Sequence, residues 1–414
     1  MFTGLSLDQA PPFEAPLKFF LTAPIFAILA GIIALLSNSF ELHDPKLIAS
    51  IHLITIGYMI MIVFGALQQM LPVVAGAVIP KAKLVANLTY TLLIIGIITF
   101  FLGFIFYEKI LFFVASTFLL LGLCIFTFIA LFQLLKVTNK SYIVIGIILS
   151  LSFFIIAFMF GIHLLVSHAT SNISPLHYDF ALIHYNYIFF GFIFLLIVAI
   201  TIQVVPMFWV ANSYSKIEQK SIIFLTTLVL LFYFTNIMFN LELTIIYKLL
   251  ISLISLFFVY ITIQKLRNRK RKLKDISVYF YITSMLFFAF GIIYWFSFSF
   301  INLPLLTLGV LFGLGFVISL MNGMLYKIVP FLTWFHLNSR GLFDIPTMRD
   351  MIPIKKMEQQ FFIHLTSVVL LTLGTFFHID FILYIAIGLF IISNILFFIN
   401  LYSSAKIYLL QKVN

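Results

Sequence analysis

Long apolar runs broken by short polar stretches dominate the chain. Runs that reach the roughly 20 residues a helix needs to cross a bilayer core fall at 17–37, 47–76, 84–106, 110–135, 142–167, 179–211, 220–239, 245–264, 277–299, 302–336, 360–377 and 380–405. The pattern predicts an all-α, polytopic membrane protein with 12 transmembrane helices. The longest non-spanning segment, about 337–358, reads as a short cytoplasmic cap, and nothing suggests a separate soluble domain. Residues 1–414 are therefore expected to form a single integral membrane domain. Composition points to the same solvent: 63% hydrophobic residues, 9% charged residues and a mean hydropathy of +1.20 leave too little polar surface to coat a soluble globule.

Within this pattern one signature recurs three times, Gly-x11-(Gln/Lys)-x2-Pro: Gly57, Gln69, Pro72; Gly191, Gln203, Pro206; Gly315, Lys327, Pro330. The starts lie 134 and 124 residues apart, which divides the chain into internal repeats of about 17–140, 141–274 and 275–414. Four helices per repeat give three pseudo-threefold four-helix arcs as the expected arrangement. The glycines would let neighbouring helices approach closely. Each proline releases a carbonyl four residues earlier, a group that must find a partner inside the membrane. Gln69, Gln203 and Lys327 are polar kink positions one turn before the prolines, as ordinary packing residues or as the lining of a pathway. A cation at Lys327 is expensive unless it snorkels to the inner surface or faces a polar cavity.

Charge then orients the chain. The even-to-odd loops carry Lys81, Lys83, Lys136, Lys140, Lys216, Lys220, the run Lys265 to Lys274, and Arg340, Arg349, Lys355 and Lys356. The opposite loops hold only Lys46, Lys109 and Lys248. Cationic loops stay on the cytoplasmic side, so both termini are expected inside a bacterial inner membrane, with helices 2, 6 and 10 running inward. The net charge of +11 thus reflects topology and contact with the lipid bilayer rather than nucleic-acid binding. Met1 to Pro16 lacks a basic n-region and does not read as a cleaved signal. Cys124, the sole cysteine, excludes an intrachain disulfide framework and a thiolate cluster.

Histidine supplies the concentrated chemistry. His52 opens helix 2, His163 closes helix 5, His184 opens helix 6, His168 and His177 lie between helices 5 and 6, and His43 and His378 fall in other outer loops. Imidazole ligates haem iron, copper and zinc, so His52, His184 and His163 are the candidate cofactor ligands. His184 and His163, on adjacent antiparallel helices, are also the candidate metal pair. His52 precedes Gly57 by five residues and His184 precedes Gly191 by seven, a difference of about 200° of helix rotation. Their repeat partners are Asn186 and Ser50 respectively. A site shared by the two histidines would therefore use opposite faces of their helices. Paired carboxylates on one helix face, nucleophile–histidine arrangements, phosphate-binding glycine loops and His-Glu-x-x-His motifs are absent, so no catalytic residue is assigned.

Twelve helices in three units, inside termini, and the outer-end histidine in Ile51-His52-Leu53-Ile54-Thr55-Ile56-Gly57 resemble subunit I of the haem-copper oxidase superfamily, including its cbb3-type and nitric-oxide-reductase branches. The chain is also similar to the haem- and copper-containing twelve-helix proteins of the NnrS type. The resemblance implies an axial haem ligand at His52, a copper ligand at His184, a b-type haem, and copper as a further cofactor. The chain departs from those oxidases in two places. Helix 7, from Lys220 to Phe239, lacks their His-His pair, and Leu305 to Val310 lacks the helix 10 ligands, while His336 sits at the opposite end of that helix. Turnover as a terminal oxidase is not expected. The resemblance implies instead a haem-binding protein in haem or metal handling or in respiratory and nitric-oxide stress, with respiratory-complex subunits as candidate partners. Two other readings stay open: a small-molecule permease or channel lined by kinked helices 2, 6 and 10, and a non-catalytic assembly subunit.

Overall fold

A computed structural model describes residues 11–37, 39–41, 43–270 and 272–411. Residues 1–10, and Arg271 of the basic run, lie outside the described residues. The protein is 82% helical with no strands among the described residues. Among the described residues, twelve helices are long and apolar enough to cross a membrane: α1 (Glu14–Leu35), α2 (Pro45–Ala75), α3 (Ala82–Phe106), α4 (Lys109–Lys136), α5 (Tyr142–Thr170), α6 (His177–Trp209), α7 (Lys216–Met238), α8 (Thr244–Arg267), α9 (Ile276–Ser297), α10 (Leu305–Asn338), α11 (Ile354–Phe377) and α12 (Asp380–Leu410). All twelve apolar runs are helices. Leucine and phenylalanine side chains such as Leu84, Leu88, Phe113, Leu121, Phe128 and Phe132 stand exposed along α3 and α4. Apolar exposure of this extent suits hydrocarbon and not water, so the environment of these faces is a lipid bilayer.

Helix starts follow local chemistry. Asp44 caps α2, its carboxylate accepting from the amides of Lys46 (2.8 Å) and Leu47 (3.4 Å), with Pro45 in the first turn, where no amide hydrogen is missed. Ser215 and Glu218 form a capping box that starts α7 at Lys216, four residues before the apolar run. α11 begins six residues earlier than its apolar run. The polar turn Lys355, Lys356, Glu358 is helical, and Glu358 pairs there with Lys274.

The chain divides into two compact units. One comprises Gln69–Lys272 and Trp295–Phe300, and so holds α3 to α8. In it α3 packs on α4, α4 on α5, α5 on α6 and α7, and α7 on α8. The other comprises Pro11–Gln68, Leu273–Tyr294 and Ile301–Asn414, and holds α1, most of α2 and α9, and α10 to α12. There α12 packs against α1, α10 and α11, and α1 packs against α2. In this second unit Phe13 is fully buried, stacked on His336 at 5.6 Å and edge-on to Tyr408 at 5.1 Å.

The three signature helices share a feature that apolar patterning does not reveal. Each contains a π-helical stretch around its glycine: Leu53–Ile60 in α2, Tyr187–Phe194 in α6 and Val310–Ile318 in α10. A π turn bonds residue i to i+5 and widens the helix locally, at a cost in regular packing that a neighbouring element must offset. The neighbour is the same in each repeat, a phenylalanine of the preceding helix. A Cβ added at Gly57 would lie 2.7 Å from Phe26, one at Gly191 2.8 Å from Phe153, and one at Gly315 2.6 Å from Phe287. The atoms met are Cβ and Cγ of each ring, which cannot swing away without moving their backbone. The prolines, by contrast, sit inside continuous helix.

A substitution test follows from this close approach. Gly191→Ala should lower stability by about 1–3 kcal/mol, the usual cost of overpacking, as read by thermal unfolding in detergent. Gly388→Ala in α12, where no atom lies within 4 Å of the added carbon, should be neutral or gain up to about 1 kcal/mol through helix propensity. Equal behaviour of the two variants would remove the Gly–Phe contact as a stabilising lock.

Candidate functional site

His184 lies in the first turns of α6, half-buried against α5. Its Nδ1 is 2.8 Å from the carbonyl oxygen of Ala157. The ring fits there because residue 161, one turn further along α5, is glycine. A Cβ at Gly161 would meet the His184 ring at Cε1 (2.6 Å) and Nδ1 (2.9 Å). Ser50, the repeat counterpart of His184, makes the matching tether in α2, its hydroxyl donating to the Ala30 carbonyl at 2.9 Å. Ala157 follows Phe153 by four residues, and Ala30 follows Phe26 by four, so the same two rungs recur in both repeats. The third repeat places Leu308 at this position, which has no donor.

His52 is the last α-helical residue before the π stretch of α2. Its Nδ1 is 2.9 Å from the carbonyl oxygen of Ile48, one turn back on its own helix. A carbonyl can only accept, so in both histidines Nδ1 carries the proton, and in the neutral ring Nε2 keeps its lone pair. That is the ligand form of imidazole: protein carbonyls commonly hold the non-ligating nitrogen of metal- and haem-bound histidines and fix the ring's orientation. His52 and His184 therefore fit the donor chemistry of a haem or metal ligand. They belong to different compact units, His184 to the first and His52 to the second.

The repeat counterpart of His52 is Asn186, and it is fully engaged. Its amide donates to the Leu182 carbonyl (2.9 Å) and the Tyr233 hydroxyl (3.0 Å), while its oxygen accepts from the Tyr247 hydroxyl (2.9 Å). The two tyrosine rings lie 4.2 Å apart, and Tyr187 donates to the Leu230 carbonyl at 3.1 Å. This buried polar knot ties α6 to α7 and α8. Buried polar groups of this kind are favourable when every member is satisfied.

His163 is exposed, with its ring edge-on to Phe180 at 5.1 Å. It leaves α5 about 200° round from Gly161, whereas His184 rests on the Ala157–Gly161 stripe. The carbonyl anchor that prepares His52 and His184 is not among the contacts of His163, and its fit to a ligand role is correspondingly poorer. Among the described residues no three His, Cys, Asp or Glu side chains group as ligands to one metal ion. His43 is exposed and pairs with Glu41 at 3.2 Å, and His378 is an exposed left-handed C-cap of α11. His336 stacks on Phe13 and meets Phe335 edge-on, with Nε2 buried and without a hydrogen-bond partner.

One histidine escaped the reading of the sequence. His364 on α11 is 1% exposed, and its Nε2 is 2.8 Å from the Ser319 hydroxyl at the end of the α10 π stretch. Around it α10, α11 and α12 form a buried polar network. Asn400 donates to the Tyr326 hydroxyl (2.9 Å), which donates to the Gln360 oxygen (3.2 Å), and the Gln360 amide donates to Ser393 (3.0 Å). The signal was the spacing of Gln360, His364 and Ser367, which share one face of α11 at i, i+4 and i+7.

Among the three polar kink positions, Gln69 is buried with its side-chain oxygen unpartnered, and Gln203 is half-buried. Lys327 is one half of an ion pair. Its ammonium pairs with the carboxylate of Asp275, which also accepts from the Ser277 amide (3.1 Å) and hydroxyl (2.6 Å) at the start of α9. No family model matches this sequence, and no curated protein matches it.

Proposed function

We propose that this multi-pass membrane protein binds haem with His52 as an axial ligand, and that His184, in the other compact unit, is a ligand position of its own. The observation that carries the proposal is the shared preparation of the two rings, each with Nδ1 held by a backbone carbonyl, which puts the lone pair of the neutral ring on Nε2. A b-type haem is the form expected, because covalent attachment through Cys-x-x-Cys-His needs two cysteines and the chain has Cys124 alone. Haem when bound supplies an iron that exchanges electrons or takes a small gas ligand. The protein's own residues hold the rings in one tautomer and keep apolar helix faces around them.

The cation-rich loops favour cytoplasmic termini in a bacterial inner membrane, which sets His52 and His184 toward the outer face. Copper binding belongs to the same reading, through His184, and so do a role in haem or metal handling or in respiratory and nitric-oxide stress and association with respiratory-complex subunits. The threefold Gly–Phe lock supports the three-unit architecture behind this reading. Haem content per purified chain tests it. Chains from haem-replete cells should carry haem b in the pyridine haemochrome assay, and chains that carry none sink the proposal.

A further inference from the structure

We infer that His168 and His177 form a separate transition-metal site, best suited to copper, at the α5–α6 connection. Their ring centroids are 6.2 Å apart at an interplanar angle of 79°. Nitrogen ligands sit about 2.0–2.1 Å from such ions, so two imidazoles on one ion place their centroids about 4.5 to 6.4 Å apart as the angle at the ion opens from a right angle to linear, and the observed spacing falls at the open end of that range. Nδ1 of His177 is buried with no hydrogen-bond partner. A buried nitrogen of this kind is costly unless something satisfies it, and a shared cation does.

The surroundings favour a fixed pair. Ser174 accepts the His177 amide through its carbonyl (3.0 Å), and its hydroxyl accepts the Leu176 amide (3.2 Å), which holds His177 at the first position of α6. Phe104 and Phe112 flank the His168 ring at 5.6 and 5.9 Å and lie 5.0 Å from each other, so an apolar wall backs that side of the pair. Two imidazoles supply the only described protein ligands, which leaves positions for water and selects an imidazole-preferring ion over calcium or magnesium. At nitrogen ligands the affinity order of divalent first-row ions peaks at Cu²⁺, ahead of Zn²⁺. The site needs neither His52 nor His184, so it stands or falls independently of haem binding.

Cu²⁺ and Zn²⁺ titrated separately into chelator-treated, detergent-purified full-length protein test the inference. In the His184→Ala background, which removes the copper position of the proposed function, the expected result is one high-affinity Cu²⁺ per chain, tighter than Zn²⁺, with nitrogen hyperfine structure in its electron paramagnetic resonance spectrum. His168→Gln and His177→Gln, each confirmed monodisperse by gel filtration, should weaken Cu²⁺ by about 100-fold or more, since loss of even a supporting outer contact costs 10–100-fold. His184→Ala should leave this ion in place. His184→Ala protein without a stoichiometric ion, or copper that survives both glutamine substitutions made in that background, overturns the site. Copper lost in His184→Ala instead would overturn it in favour of a site at His184.

Discussion

Gly161→Ala should disable the His184 position without touching the histidine. The added methyl would sit 2.6 Å from Cε1 and 2.9 Å from Nδ1 of the ring, so the imidazole must leave the Ala157 carbonyl. Two consequences follow: overpacking costs about 1–3 kcal/mol of stability, and loss of the carbonyl anchor should weaken any ligand held by His184 about 10–100-fold. Ligand affinity measured beside thermal unfolding separates these effects. Gly191→Ala is the comparison, since it brings a similar steric cost against Phe153 while leaving the Ala157 tether alone. If both variants lose stability but Gly161→Ala keeps wild-type affinity, His184 is a packing residue.

Lys327→Ala should destabilise the second unit by about 2 kcal/mol at neutral pH. Breaking one partner of a fully buried pair costs about 3–5 kcal/mol, and the figure is reduced because Lys327 and Asp275 side chains remain 28% and 23% exposed. Burial alone pushes the Asp275 carboxyl up. The Lys327 charge and hydrogen bond, with the Ser277 hydroxyl and amide, outweigh burial and hold it below the usual carboxylate range. A carboxyl depressed on folding contributes stability that is present above its unfolded value of about 3.9 and is lost as pH falls through the folded value. The difference between wild type and Lys327→Ala should therefore be full at pH 7 and shrink below about pH 4. The Asp275→Asn/Lys327→Ala double variant should recover part of the loss at pH 7. A difference independent of pH, or a double variant no better than the single, would show that the pair does not hold α9 to α10.

The spans were legible because burial in lipid needs long apolar runs, and every run drawn from the sequence is a helix. Helix starts shifted by a few residues, at α7 because the Ser215–Glu218 capping box sets it and at α11 because the polar turn after Pro353 is helical. The repeat was legible from glycine and proline spacing, yet its physical meaning lay in residues that spacing does not flag. Phe26, Phe153 and Phe287 stand among 53 phenylalanines, and only the folded backbone selects the three that fill the space the glycines leave open. The π stretches were illegible for a related reason, since i to i+5 bonding follows from packing and not from a composition signal. Lys327 was read as a lone cation because its partner, Asp275, sits 52 residues away in sequence. His163 and His184 looked alike by depth, but helix rotation sends one outward to Phe180 and the other onto Gly161.

The central claim is that His52, with Nδ1 held by Ile48, presents Nε2 to haem iron. Its most direct test is the reduced-minus-oxidised optical spectrum of protein purified with haem supplied, wild type beside His52→Ala. Wild type should give Soret and α bands of a b-type haem, and His52→Ala should lose or shift them while eluting as a folded species. A featureless wild-type spectrum, or bands unchanged in His52→Ala, would contradict it.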